Sequence, residues 1–265
     1  MVDDRDRLRF KSLVSTDGGQ AMLKDQQDAF GHGMYDYFNG IEGAEIAERD
    51  DGYIDQTGGP AAYFTPYRKW FPIEKKAMKY VRGRVLDVGC GAGRQSLYLQ
   101  EKGHDVVGID NSPLAIEVCK KRGLRDARII PITQIGSTIG IFDTILLFGN
   151  NFGLFGTPTR AERLLKRLHK MTSKQGRIIA VSSDIYKTDD PDHLAYHAAN
   201  RARGRISGQL RFKIRYKRYV SAWFDWLLVS KKEMESILKG TGWVVSRYID
   251  SDAPQYIAII DKKKA

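Results

Sequence analysis

Over residues 84–182, short apolar runs alternate regularly with segments of helical period, and few folds accept that pattern. Residues 85–88 form an apolar run that reads as a strand, and 94–102 reads as a helix ended by Gly103. A second strand is expected over 105–109. Ser112-Pro113 then opens a helix, with serine as N-cap and proline in the first turn, and this helix stops at Gly123. A third strand is expected near 128–130. Residues 142–148, apolar but for Asp143 and Thr144, read as a strand buried on both faces. Thr159-x-x-Glu162 reads as a capping box for a helix to about Met171, and 177–182 as the fifth strand. Strands alternating with helices imply an α/β fold with a parallel sheet and right-handed crossovers.

The flanks depart from this rhythm. Residues 1–20 are polar and without period, so they are expected to be mobile. A helix is expected over 21–39, followed by acidic, glycine-containing sequence to Gly59-Pro60. Next comes AAYFTPYRKWFPIEKKAMKYV, with apolar residues mostly at helical spacing and a break near Pro72. Beyond 187, residues 193–204 read as a helix. Residues 210–216 alternate strictly, with Leu210, Phe212, Ile214 and Tyr216 on one face and Arg211, Lys213 and Arg215 on the other. A bulge is expected at Lys217-Arg218 and a partner strand over 222–229. Ser230 caps a helix to Leu238, and two strands follow over 243–248 and 255–260. The expected organisation is an N-terminal segment and helical cap (1–80), a core (81–186), a basic insertion (187–229) and a C-terminal helix with strands completing the core (230–265).

A chain of 265 residues is long enough for one α/β domain with a cap. No apolar run approaches the roughly 18 residues needed to cross a bilayer. The N-terminal MVDDRDRLRFKSLV mixes acids and bases, unlike a signal peptide. Two cysteines, Cys90 and Cys119, argue against a disulfide scaffold, so the cytoplasm is the expected compartment and no membrane partner is expected. The net charge of +11 is uneven: residues 1–60 hold 6 Lys/Arg and 13 Asp/Glu, a net of −7, which leaves +18 elsewhere. So basic a body suits either an anionic partner or simply a charged, soluble surface.

The segment VLDVGCGAGR (85–94) lies between the first strand and its helix, with glycines at 89, 91 and 93. This G-x-G-x-G spacing is not the G-x-G-x-x-G of nicotinamide and flavin binders. Glycines there permit close backbone approach to a ligand, and the helix start offers free N–H groups. Asp110 follows Gly89 by 21 residues, at the end of the second strand. A carboxylate there can accept hydrogen bonds from both hydroxyls of a ribose.

At these residues the sequence resembles the class I S-adenosylmethionine-dependent methyltransferase superfamily, over about residues 84–260. The resemblance implies a Rossmann-like three-layer sandwich with a seven-stranded, mostly parallel sheet whose last strand is antiparallel, here with an N-terminal helical cap and a β-rich insertion before the last helix. It implies S-adenosyl-L-methionine as cofactor and S-adenosyl-L-homocysteine as product. Asp87, Gly89 and Gly91 would line the methionine part, Asp110 would hold the ribose, and Asn111 would lie beside the adenine. FGNNFG (148–153) falls where the family's fourth strand reaches the donor methyl. Gly149 and Asn150 would flank the methionine portion there, with Asn151 facing the acceptor. The family often has an acid after the third strand for the adenine amino group. PITQIG (131–136) has none, and Thr133 stands in its place. Cys90, inside the turn, reads as a small buried side chain lining the site rather than a nucleophile.

Methyl transfer depends on alignment and exclusion of water, and needs a base only when the acceptor starts protonated. The sequence therefore names no catalytic residue. FGNNFG is not the N/D-P-P-Y/F motif of many amino-group nucleic-acid methyltransferases, and no Pro-Cys pair follows the fourth strand. The acceptor-side candidates are Asn151, Tyr63 and Arg68, the last two from the aromatic cap, and His193 from the insertion. Residues 193–224 carry eight Lys/Arg and no Asp/Glu. His193 and His197 share a helical spacing but have no evident third ligand, so no metal is expected. The expected function is methylation of a small molecule, with anions among the candidate acceptors. RNA docking through the basic insertion, or a non-catalytic cofactor-binding scaffold, are the alternatives.

Overall fold

The computed structural model describes residues 22–263. The segment 1–20, expected to be mobile, lies outside them. After a single 3₁₀ turn at Asp25–Gln27, the chain forms α1 (Ala29–Phe38) and a hairpin of β1 (Glu45–Arg49) and β2 (Ile54–Gln56). Two 3₁₀ turns, Pro60–Phe64 and Tyr67–Lys69, lead to α2 (Pro72–Met78). The alternating region is β3 (Val85–Val88), α3 (Arg94–Glu101), β4 (Val106–Asp110), α4 (Pro113–Lys121), β5 (Ala127–Ile129), β6 (Phe142–Leu147), α5 (Pro158–Lys170) and β7 (Thr172–Ser183). The rest is α6 (Pro191–Ala202), β8 (Gln209–Tyr216), β9 (Tyr219–Val220), β10 (Phe224–Leu227), α7 (Lys231–Leu238), β11 (Trp243–Asp250) and β12 (Gln255–Lys262).

Seven strands form one sheet in the order β11-β12-β7-β6-β3-β4-β5. From β5 to β7 across the sheet, neighbours pair in parallel. β12 runs against both β7 and β11. Successive side chains of β3 enter opposite layers: Leu86 packs with Leu164, Leu168 and Met234 of α5 and α7, while Val85 packs with Ile73, Ala77 and Leu99 of α2 and α3. This is the α/β sandwich that the alternation predicts, because strands covered on both faces must be apolar on both.

Three local expectations are corrected. The N-cap of α5 is Thr157, whose hydroxyl accepts from Arg160 N, rather than Thr159. Pro158 occupies the first turn there, where its fixed φ suits the helix and its missing N–H costs nothing. β7 starts at Thr172, with a register shift against β6 between Phe142 and Thr144. Lys217-Arg218 is a two-residue hairpin turn between β8 and β9, not a bulge, with Lys217 at φ 50°.

The larger difference concerns the flanks. A second, antiparallel sheet has the order β10-β8-β1-β2, with β9 also on β8. The N-terminal segment is thus not only a helical cap: its hairpin pairs directly with the insertion. Gly52, at φ 93°, closes that hairpin after Asp50-Asp51. On the inner face Glu45, Ala47 and Arg49 lie opposite Tyr216, Ile214 and Phe212. On the outer face Glu48 bonds Lys213 at 2.8 Å and Arg215 at 2.7 Å, and Asp225 pairs with Arg211 at 3.3 Å. The basic face of β8 is therefore matched by acids. Exposed pairs of this kind add little to stability, but they remove the free positive stripe that the sequence suggests. Among the described residues no helix is long and apolar enough to cross a membrane.

One carboxylate joins the cap to the core. Asp28, 1% exposed, caps α1 by accepting from Gly31 N at 2.9 Å. It also accepts from Ser112 Oγ at 2.8 Å and Leu114 N at 3.3 Å, at the start of α4. A Cβ on Gly31 would stand 2.4 Å from both Asp28 oxygens and from Ser112 Oγ. In an ordinary helix alanine would gain about 0.5–1 kcal/mol over glycine. Here Gly31→Ala is expected to cost about 2 kcal/mol through the two disturbed caps, or about 4–8 °C in Tm. Asp28→Asn, which keeps an acceptor, should cost less. Thermal unfolding of the two variants checks this, and a raised Tm for Gly31→Ala would contradict the shared cap.

Candidate cofactor and active site

The glycine turn follows β3, with Gly89, Gly91 and Gly93 at φ 71°, 54° and 79°. These left-handed values are costly for residues with a Cβ. Gly89 is also sterically fixed, since a Cβ there would meet Asn151 Nδ2 at 2.6 Å and Leu154 at 2.9 Å. Asn151 donates its amide N–H groups to Val88 O and Gly89 O, both at 2.9 Å. That end of the Asn151 side chain, expected to face an acceptor, is thus committed to holding the turn.

Asp110 ends β4 beside the turn. One of its oxygens accepts from Gly91 N at 3.0 Å, the other from Ser112 N at 3.0 Å. Each retains lone-pair capacity for another donor. The carbonyl of Asn111, the next residue, accepts from Leu23 N at 3.1 Å, tying the cap's leading strand of chain to this loop. Asp87, 2% exposed, accepts from Ser96 Oγ at 2.7 Å. Burial, reinforced by the Asp110 charge, raises its carboxyl from the ordinary 3.8 to about 6. Burial likewise raises Asp110 and Asp28, and Asp28 adds to the effect on Asp110. Cys90 is buried with its sulfur 3.9 Å from that of Cys119, and the adjacent thiol and burial push its own thiol up.

The other expected positions spread around the turn. Gly149 (φ 66°) and Asn150 (φ 61°) form a second left-handed stretch after β6. Asn150 Oδ1 accepts from Ser183 Oγ at 3.2 Å and Gln255 Nε2 at 3.4 Å, at the ends of β7 and β12. The Thr133 carbonyl accepts from Arg167 at 2.8 Å, which fixes the loop after β5. Tyr63 approaches Gly91, its ring 3.5 Å from where a Cβ would stand, beside Met34 of α1. On another side Trp226 of β10 packs on Gly153, where a Cβ would fall 2.1 Å from the indole nitrogen. Arg68 is exposed on a 3₁₀ turn, and its carbonyl accepts from Lys75 Nζ at 2.8 Å. His193 sits in the first turn of α6 against Tyr53, with ring centroids 5.1 Å apart. Among the described residues no group of three potential metal ligands occurs.

Two residues at this site were missed by sequence reasoning. Asp28 had a legible N-cap position before Ala29, but nothing local reveals its bond to Ser112. Glu45 is 1% exposed on the inner face of β1, where Thr57 Oγ1 donates to it at 2.6 Å and Tyr63 OH at 3.3 Å. Its only local signal is the D-D-G turn that makes its neighbourhood a hairpin.

The arrangement suits S-adenosylmethionine on grounds of charge and shape. Burial raises the proton affinity of Asp28, Asp87 and Asp110, and the Asp28 charge adds to that of Asp110 and the Asp110 charge to that of Asp87. The nearby Arg94 is already paired with Glu74. A ligand with a sulfonium and an ammonium against a single carboxylate brings the missing positive charge. The turn's backbone and the strand-tip Asp110 offer donors and acceptors to its polar ends.

Comparison with known proteins agrees. The methyltransferase domain family matches residues 85–176. A 2-heptyl-1-hydroxyquinolin-4(1H)-one methyltransferase of Mycobacteroides abscessus is 40% identical over 72 residues, 25% of this chain and 32% of that protein. A putative methyltransferase of Geobacillus sp. is 24% identical over 49% of this chain and 54% of its own length. The chain thus spans about half or less of the length of these curated relatives. A Bacteroides fragilis SAM-dependent methyltransferase, crystallised with S-adenosyl-L-homocysteine, superposes with a TM-score of 0.78 at 25% identity, over 91% of this chain and 98% of that one. With the strand order, the reversed β12 and the glycine turn beside Asp110, these matches place the chain in the class I S-adenosylmethionine-dependent methyltransferase superfamily, with S-adenosylmethionine as its cofactor.

Proposed function

We propose that the protein methylates a small-molecule acceptor held between the glycine turn, the cap and the second sheet. The observation that carries this reading is the pairing of β1 with β8: cap and insertion form one sheet, with Tyr63 on Gly91 and Trp226 on Gly153. Such a wall excludes water from a small site. In the cofactor site Asp110 is assigned to the ribose hydroxyls and Asn111 and Thr133 to the adenine. Asp87, Gly89, Gly91, Gly149 and Asn150 are assigned to the methionine portion. When bound, the cofactor supplies an electrophilic methyl group on a sulfonium sulfur. The protein's own residues align the acceptor and keep the site dry.

The RNA alternative rests on the basic insertion, and its best-defined cationic strand is paired with Glu48 and Asp225. The Mycobacteroides relative is named for a small heteroaromatic acceptor, which also favours the small-molecule reading. Single-turnover transfer from methyl-labelled cofactor into small-molecule and RNA pools tests it. Label is expected in small molecules, with a rate nearly constant between about 50 and about 200 mM KCl. Label in RNA, with a rate falling steeply over that range, would overturn the acceptor assignment. Bound cofactor with no transfer to either pool would leave a scaffold.

The carboxylates give two further expectations. Asp110→Ala should weaken cofactor binding at least about tenfold, since charge-assisted hydrogen bonds contribute about 1.5–3 kcal/mol each. Unchanged affinity by calorimetry would contradict the ribose assignment. Asp87 is a carboxyl whose folded-state value lies above its unfolded one, so its ionisation opposes folding. That penalty grows as pH rises from about 4 to about 6 and reaches roughly 3 kcal/mol above that window. Asp87→Asn should therefore raise the Tm of the ligand-free protein at pH 7.5, a gain that vanishes toward pH 4, while weakening cofactor binding. A Tm lowered at pH 7.5 would show that the charge is compensated.

A further inference from the structure

The inner face of the second sheet is apolar along β8 and carries two buried charged residues, both on β1. Ala47, Phe212, Ile214, Tyr216 and Phe224 cluster there with residues of α1, and Glu45 and Arg49 share that face. Arg49 is fully occupied. Its guanidinium forks onto Asp51 at 2.8 and 2.7 Å and lies 4.6 and 4.3 Å from the rings of Tyr53 and Tyr196. Glu45 is not. Among the described residues it has no ion-pair partner, and its partners are the Thr57 and Tyr63 hydroxyls. Its Oε2 has no hydrogen-bond donor nearer than Tyr63 OH at 3.5 Å, well beyond the roughly 2.7–2.8 Å usual for such bonds.

A buried carboxylate with no cation costs several kcal/mol, and replacement by an apolar group would relieve that cost. A buried acid that only hydroxyls satisfy departs from ordinary core chemistry, and such departures are expected at functional sites. The location agrees. Tyr63 spans from Glu45 at its hydroxyl to Gly91 at its ring, and its hydroxyl is held well above the ordinary tyrosine range by burial and by the charges of Glu45 and Asp110. Glu45 thus stands one tyrosine length from the cofactor turn, on the cap side.

Resting on the methyl-transfer reading above, we propose that Glu45 is the specificity-determining residue for the acceptor, and that the acceptor is a protonated amine whose N–H groups bond the Glu45 carboxylate. An ammonium has no free electron pair, so it must shed a proton before it reacts. The N–H bond breaks with its pair left on nitrogen, and the proton moves to a Glu45 oxygen. Glu45 returns the proton to water when the product leaves. Burial raises this carboxyl, which favours its taking the proton. Tyr63 acts as a positioning residue that aims the carboxylate. An anionic acceptor, which the basic composition suggests, would meet repulsion here.

Glu45→Gln isolates the charge, because its carbonyl still accepts from Thr57 and the hairpin contact survives. With the full chain and labelled cofactor, transfer is measured into separate pools of primary and secondary amines, phenols and carboxylic acids. Tm and cofactor affinity are recorded for each variant. Label is expected in amines. Glu45→Gln should lower kcat/KM for the labelled amine about 10- to 100-fold, with Tm not reduced and cofactor Kd within about twofold of the parent. Glu45→Asp should restore part of the loss. Equal turnover by Glu45→Gln, or label confined to phenols or carboxylic acids, would overturn this inference and leave methyl transfer standing. Bound cofactor with no label in any pool would overturn methyl transfer itself, and this inference with it.

Discussion

A backbone passing through left-handed φ at three residues in five, Gly89, Gly91 and Gly93, keeps that path only if its polar groups are held. Each restraint comes from a different element. Ile109 O accepts from Gly89 N and Cys90 N, at 2.8 and 3.0 Å. Asp110 accepts from Gly91 N, and the Cys119 thiol donates to Gly91 O at 3.1 Å. Asn151 donates to Val88 O and Gly89 O. The turn, the tip of β4, the start of α4 and the FGNNFG segment therefore behave as one body. A ligand bound there meets groups already in place, which lowers the ordering cost of binding.

The cap joins this body through Asp28 at one end and through the second sheet at the other. Asp28 terminates α1 and meets α4 at the same time, so cap position and the Asp110–Ser112 loop are set together. Pairing of β1 with β8 then brings the insertion into the same assembly, and β10 carries Trp226 onto Gly153. The acidic N-terminal residues and the basic insertion, opposite in net charge along the chain, meet as cross-strand partners. Glu48 stands directly opposite Lys213. The uneven charge of the sequence is thus partly an internal complementarity between two distant segments.

The core was legible because its signals are local and repeated. The central strands β3, β4 and β6 are mostly buried apolar residues, α4, α5 and α7 each have a side-chain cap, and the glycines of the turn announce their φ values. Ser112 and Ser230 cap α4 and α7 as their positions predict. What escaped depends on pairing between segments far apart in sequence. The hairpin of β1 and β2 is short, with polar residues on much of both strands, so its stability comes from β8, about 160 residues away, and no local periodicity records that. The true cap of α5 was displaced by two residues because Thr157 and Thr159 both precede helical sequence. The Pro158 geometry decides between them. Of the site, Asp87, Gly89, Gly91 and Asp110 gather as the motif implied, while the roles of Asn151 and Asp28 became visible only through their partners.

Charge ties the two halves of the site together. Burial disfavours ionisation of Asp28, Asp87 and Asp110, and charge adds to it from Asp28 to Asp110 and from Asp110 to Asp87. Such crowding weakens the ligand-free fold, and a cationic ligand relieves it. Glu45 adds a fourth buried acid, on an element that the parallel sheet does not need for its own integrity. It lies beside Ala47, which packs with Ile214 and Tyr216 in an apolar cluster. A carboxylate kept there, with hydroxyls but no cation beside it, makes sense if the positive charge arrives with a ligand. The same electrostatic logic that suits the turn to a sulfonium then suits the cap to an ammonium, and the two sites would be filled by donor and acceptor in one dry chamber.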